Sequence, residues 1–204
     1  MGRARVRPSP AATLALFLGA MSFLWATPHP LSNGFIPADD IHLSCGASGN
    51  QKDSDGRTWV TDKGSKFAPP DLSNFLSETA SSQSPSLPST VPYMTARIFK
   101  APATYSIAVS PGQHWLRLYF YPSNYGSYQA TDALFNVEAN SYTLLHNFSS
   151  WQTANVLNMV SLLYEYSINV TSNKLNITFS PENPSSYAFV NGIEVESMPN
   201  LFDV

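Results

Sequence analysis

Residues 114–121, His-Trp-Leu-Arg-Leu-Tyr-Phe-Tyr, place four aromatic rings and an arginine in eight positions and run on into Pro-Ser-Asn-Tyr-Gly-Ser-Tyr. Such side chains can hold a sugar, since aromatic rings stack on the apolar C–H face of a pyranose while arginine or aspartate hydrogen-bonds its hydroxyls. Alternation along a strand gives His114, Leu116, Leu118 and Phe120 to one face and Trp115, Arg117, Tyr119 and Tyr121 to the other. The first set reads as a core face. The second reads either as a sugar platform or as a face covered by a loop, with Arg117 bridging to an acid. Tyr121, Tyr125 and Tyr128 alternate with Pro122, Asn124 and Gly126 in a turn-rich segment, where they are expected to be exposed and available to a ligand.

Other chemistry has little support in the sequence. The histidines His29, His42, His114 and His146 are scattered without the His-x-His or His-Glu-x-x-His spacing of a metal site. Asp-Ser-Asp-Gly-Arg at 53–57 lacks the further acids of a calcium loop and reads as a polar hairpin turn. A glycosidase needs two facing carboxylates, and Asp132, Glu138, Glu165 and Glu194 cannot be paired from sequence alone. No catalytic residues, metal or cofactor are therefore expected.

The chain has 204 residues, enough for one domain with a buried core, and only 12% of them are charged. Arg3, Arg5 and Arg7 precede an apolar run at 11–26, and Thr-Pro-His-Pro follows, the layout of a secretory signal peptide over 1–30. The run is shorter than the roughly 20 apolar residues that span a bilayer. Losing that leader removes three arginines and no acid, which moves the formal charge from −3 to −6. An acidic chain lacks the basic footprint of nucleic-acid binding and favours cationic partners. Three acceptor triplets, beginning at Asn147, Asn169 and Asn176, point to N-glycosylation and an extracellular destination. Cys45 is the lone cysteine, expected as a buried free thiol.

Strand-like segments at 41–49, 93–100, 104–110, 114–121, 133–139, 142–148, 162–170, 174–181 and 187–197 are separated by turn residues, and Asp55-Gly56 marks a hairpin. The polar stretch 71–92 reads as a long loop, and only 73–79 and 151–160 have helical spacing. The pattern predicts an all-β antiparallel sandwich of two sheets with one or two short helical turns.

Several of these segments also carry motifs. In order, 37–62, Val-Pro-Tyr-Met-Thr-Ala-Arg-Ile-Phe (91–99), 112–122, 143–149, Glu-Tyr-Ser-Ile-Asn-Val (165–170) and 175–199 resemble the first malectin-like domain of FERONIA/THESEUS-type plant receptor-like kinases. The resemblance implies a jelly-roll-type sandwich over 31–200, with 201–204 as the start of a second such domain or a tail. It implies cell-wall polysaccharide or oligosaccharide, rapid-alkalinization-type peptides and a GPI-anchored co-receptor as partners, at the outer face of the plasma membrane or in the apoplast. Malectin holds a glucose disaccharide with loop aromatics and an aspartate, and by that resemblance Tyr121, Tyr125, Tyr128 and Asp132 take those parts, with Arg117 beside them. A polyanion such as pectin would need basic patches at Lys63, Lys66, Arg97 or Arg117. The family often has a basic residue where Tyr164 stands, so a pairing made by that residue would be lost. No Gly-rich phosphate loop, His-Arg-Asp or Asp-Phe-Gly segment is present, so a non-catalytic recognition domain without span or kinase is expected. The alternative is a truncated or decoy secreted glycoprotein with no ligand of its own.

Overall fold

The structure, a computed structural model, describes residues 35–70 and 75–199; the expected leader at 1–30 and tail at 201–204 lie outside them. The described residues form strands β1 (Asp40–Ser44), β2 (Gln51–Lys52), β3 (Thr58–Thr61), β4 (Leu76–Thr79), β5 (Thr95–Phe99), β6 (Ala103–Ala108) and β7 (Gly112–Phe120). They continue as β8 (Phe135–Ala139), β9 (Tyr142–Phe148), β10 (Leu162–Val170), β11 (Lys174–Pro181), β12 (Ala188–Val190) and β13 (Gly192–Ser197). Helix α1 (Ser150–Leu157) joins β9 to β10, and a 3-10 turn spans Ala130–Asp132.

The strands build three sheets, in the orders β10-β7-β13-β1-β3-β2, β6-β11-β8-β9 and β12-β5-β4. Neighbours are antiparallel except β1 and β3, which run parallel through Leu43↔Val60 and Ser44↔Thr61. The predicted antiparallel sandwich is therefore present, with its second layer divided between the two smaller sheets. Phe120 of the six-stranded sheet meets Phe135, Phe148 and Phe189 of both smaller sheets at centroid distances of 5.5–5.8 Å. Each such ring, fully buried, contributes about 1.5–3 kcal/mol.

Two differences from the sequence reading have physical causes. The segment 187–197 breaks into β12 and β13, in different sheets, because buried Asn191 stands between them. Its amide nitrogen donates to Tyr93 O, Thr95 O and the Tyr125 hydroxyl, while its Oδ1 accepts from Tyr121 N. The second difference lies at 76–79, where the helical spacing is overridden: these residues form β4, paired along β5 from Leu76↔Ile98 to Thr79↔Thr95. Pairing to an existing strand outweighs weak local propensity. Gly46, at φ +77, is required next to β5, since a Cβ there would lie 2.1 Å from the Ala96 carbonyl oxygen.

Candidate functional site

β7 lies between β10 and β13, so Arg117 faces Glu165 on one side and Glu194 on the other in cross-strand register. Its guanidinium donates to Glu165 (2.5 Å), Glu194 (2.5 Å) and Glu196 (3.2 Å). Glu194, with its side chain only 3% exposed, also accepts from the Tyr119 hydroxyl (2.5 Å) and from Arg57 (3.5 Å). On β1, His42 stands opposite Glu194 and Asp40 opposite Glu196; the His42 ring lies 3.7 Å from Glu194 and 3.5 Å from Asp40. The β2–β3 hairpin closes the cluster, where Asp53 accepts from Arg57 (2.7 Å) and the Trp59 indole (2.9 Å). Asp40, His42, Arg57, Arg117, Glu194 and Glu196 line a depression of about 500 Å3.

The cluster gathers five carboxylates, Asp53, Asp55, Glu165, Glu194 and Glu196, around the two guanidiniums of Arg57 and Arg117, and Asp40 joins it beside His42. Burial disfavours the Arg117 cation, but Glu165 and Glu194 outweigh it and hold its pKa above the ordinary value. Burial, then the Glu194 charge, pushes the Tyr119 phenol well above its ordinary range. Neither Arg117 nor Tyr119 exchanges a proton near neutrality, so both act as fixed donors to the surrounding carboxylates. Among the described residues no group of three or more His, Cys, Asp or Glu is placed to hold a metal ion.

Of the carbohydrate set predicted from sequence, Tyr128 and Asp132 both lie against Tyr187, while Arg117, Tyr121 and Tyr125 are engaged by other partners. Arg117 is half-buried on the outer face of the six-stranded sheet and is engaged by three glutamates. Tyr121 and Tyr125, expected to be exposed, are 5% and 0% exposed, a correction with a clear cause. The chain around Ser82–Ser84 crosses over Tyr121, whose hydroxyl donates to Ser82 O and accepts from Ser84 N. The Tyr125 hydroxyl donates to Tyr121 O and accepts from Asn191. Turn-rich sequence led to the opposite expectation because a turn bound by side-chain hydroxyls can itself be core. Tyr128 is half-buried, edge-on to Tyr187 at 5.1 Å, with Lys100 5.4 Å above its ring where a sugar would stack. Asp132 is exposed at the end of the 3-10 turn, its Oδ1 accepting from Thr131. Arg97, one of the positions at which a polyanion would need a basic patch, is 3% exposed and makes a two-pronged pair with Asp62, at 2.6 and 2.8 Å.

Tyr164 faces inward and packs against Phe120 and Phe148. Cys45 is buried and unbridged, as expected, and its burial raises the thiol pKa. Asn147 and Asn169 are exposed, while Asn176 is half-buried and its Oδ1 accepts from Ser106 (2.8 Å). Sequence reading missed His42, Asp40, Glu196 and the role of Arg57. Alternation in Gly-Ile-Glu-Val-Glu-Ser puts Glu194 and Glu196 on one face, a signal that was available. The pairing of β13 with β1 and β7 was not.

A family model described as the malectin-like domain matches residues 43–202. The receptor-like protein kinase FERONIA of Arabidopsis thaliana is 45% identical over 171 residues, covering 82% of this chain and 19% of that protein. The receptor-like protein kinase ANXUR1 of the same plant is 46% identical over 194 residues, covering 93% and 22%. The chain thus spans about a fifth of these relatives. A crystal structure of the receptor-like kinase FER superposes with a TM-score of 0.75 at 46% identity, covering 81% of this chain and 44% of that one. A second, of the plant peptide RALF23 in complex with FER and LLG2, gives 0.73 at 44% identity, covering 82% and 42%.

Proposed function

This chain belongs to the malectin-like domain family, and from that premise we propose that it is a non-catalytic extracellular recognition domain for a cationic peptide of the RALF class. The outer face of the six-stranded sheet receives the peptide. One observation carries the reading: five carboxylates stand around two guanidiniums, with Asp40 alongside, on a face where Asp40 is 58% exposed, Glu165 44% and Glu196 33%. A lysine or arginine brought there meets an excess of negative charge. The same excess opposes a polyanionic wall polysaccharide.

Support also comes from the relative whose ectodomain was crystallised with RALF23 and LLG2. The test is calorimetric titration of RALF23 into the protein, with and without LLG2, in low and high salt. Binding is expected to weaken with salt, and the double variant Asp40→Lys, Glu196→Lys to lose about 1–2 kcal/mol, roughly tenfold in Kd. Binding that ignores both salt and charge reversal would remove this face from the account, and no binding in any arm would remove the peptide.

A further inference from the structure

A groove of about 560 Å3 opens where β6 turns into β7 and β13 ends. Its apolar wall is made by Phe35, Ile36, Pro111, Met198 and Pro199, and Ile36 leaves 85% of its surface in water. Apolar residues gathered round one concavity mark a binding surface more than scattered ones do. Among the described residues no Asp, Glu, Lys or Arg lines it; Gln113, Ser110 and Ser197 supply neutral hydrogen-bonding groups, and the lining His114 is engaged by Asp39 at 3.1 Å. Such a lining suits an uncharged ligand with an apolar face, and the volume falls in the range of about 300–1,000 Å3 that takes a small molecule.

Asn169 stands in the wall of this groove. It is an exposed residue of β10, opposite Gln113 of β7, and it opens the triplet Asn169-Val170-Thr171. Among the described hydrogen bonds its side-chain amide has no partner, whereas the Asn176 amide oxygen accepts from Ser106.

From this juxtaposition we propose that Asn169 carries an N-linked glycan whose first sugars lie in the groove and pin the segment 35–39 against the sheet. The apolar face of N-acetylglucosamine covers Phe35 and Ile36, and its hydroxyl and acetamide groups meet Gln113, Ser110 and Ser197. The glycan comes from a lipid-linked oligosaccharide diphosphate: Nδ2 of Asn169 forms the bond to C1, the C1–O bond to the diphosphate breaks, and Nδ2 loses a proton. The inference rests on the extracellular reading above, since that donor is met only in the secretory pathway.

The test uses the full chain expressed with its own N-terminus in plant cells. Glycopeptide mass mapping covers all three acceptors, and amide hydrogen exchange is followed over 35–39. Exchange there is expected to be roughly tenfold faster in Thr171→Ala and in Asn169→Gln than in the wild type. It is expected to stay slow after enzymatic trimming to a single N-acetylglucosamine, and to be unchanged in Asn147→Gln. Thr171 is exposed, so its loss leaves the fold in place. A bare Asn169 beside glycans at Asn147 or Asn176 overturns the proposal and spares the extracellular reading. An occupied Asn169 whose removal leaves exchange unchanged also overturns it. Three bare acceptors overturn both.

Discussion

The buried pair of Asp62 and Arg97 shows how much one residue can fix. Asp62 is fully buried and accepts from Arg97, the Tyr105 hydroxyl and Gly46 N, joining the end of β3 to β5 and β6. Removing one partner leaves the other's charge uncompensated in the interior. Asp62→Asn is expected to destabilise the protein by about 3–5 kcal/mol in urea unfolding; a loss below about 1 kcal/mol would mean that the neutral amide satisfies Arg97. Arg117 differs in kind: beside buried Glu194 it pairs with Glu165 and Glu196, which are partly in water, so those two pairs are weaker and its surroundings remain open to a ligand. Both arginines looked alike in sequence as candidate basic patches, because burial and cross-strand partners are not local properties of a residue.

At the scale of elements, strong alternation was legible and its interruptions were not. The segments 142–148, 162–170 and 174–181 became β9, β10 and β11 with those limits; β10 and β11 alternate buried and more exposed positions, while β9 departs from strict alternation where its pairing with β8 shifts register. Helix α1 was also legible. Ser149 caps its start by accepting from Gln152 N, and Asn158, at φ 51 and ψ 43, ends it in the left-handed conformation. A β-branched residue is strained there, so Asn158→Val is expected to cost about 1–2 kcal/mol while Asn158→Gly is tolerated, as compared by thermal unfolding. Equal losses in both variants would show that the Asn158 side chain, not the backbone, ends the helix. By contrast β4, and the split of β12 from β13, depend on partners distant in sequence.

For the whole molecule, two depressed carboxylates set the acid limit. Burial raises the Asp39 pKa, but the His114 and Ser110 hydrogen bonds outweigh it and hold it below the ordinary 3.8. Burial likewise raises Asp53, and Trp59 and Arg57 outweigh it. A carboxylate depressed on folding stabilises above its unfolded pKa and loses that contribution as pH falls through the folded value. Stability is therefore expected to hold down to about pH 4 and then to decline, with a shallower decline in Asp53→Asn, in urea titrations across pH. An unchanged slope in that variant would remove Asp53 from the linkage. Alternation and turn residues by themselves determined the sandwich class and the inward face of β7, because side-chain direction on a strand has a period of two. The motif order pointed to the family. Only the tertiary structure decided that Tyr121 and Tyr125 are core and that Glu165, Glu194 and Glu196 gather on Arg117. Register between strands and the path of a covering loop arise from contacts between residues 48 to 79 positions apart or 39 positions apart, which no local pattern encodes.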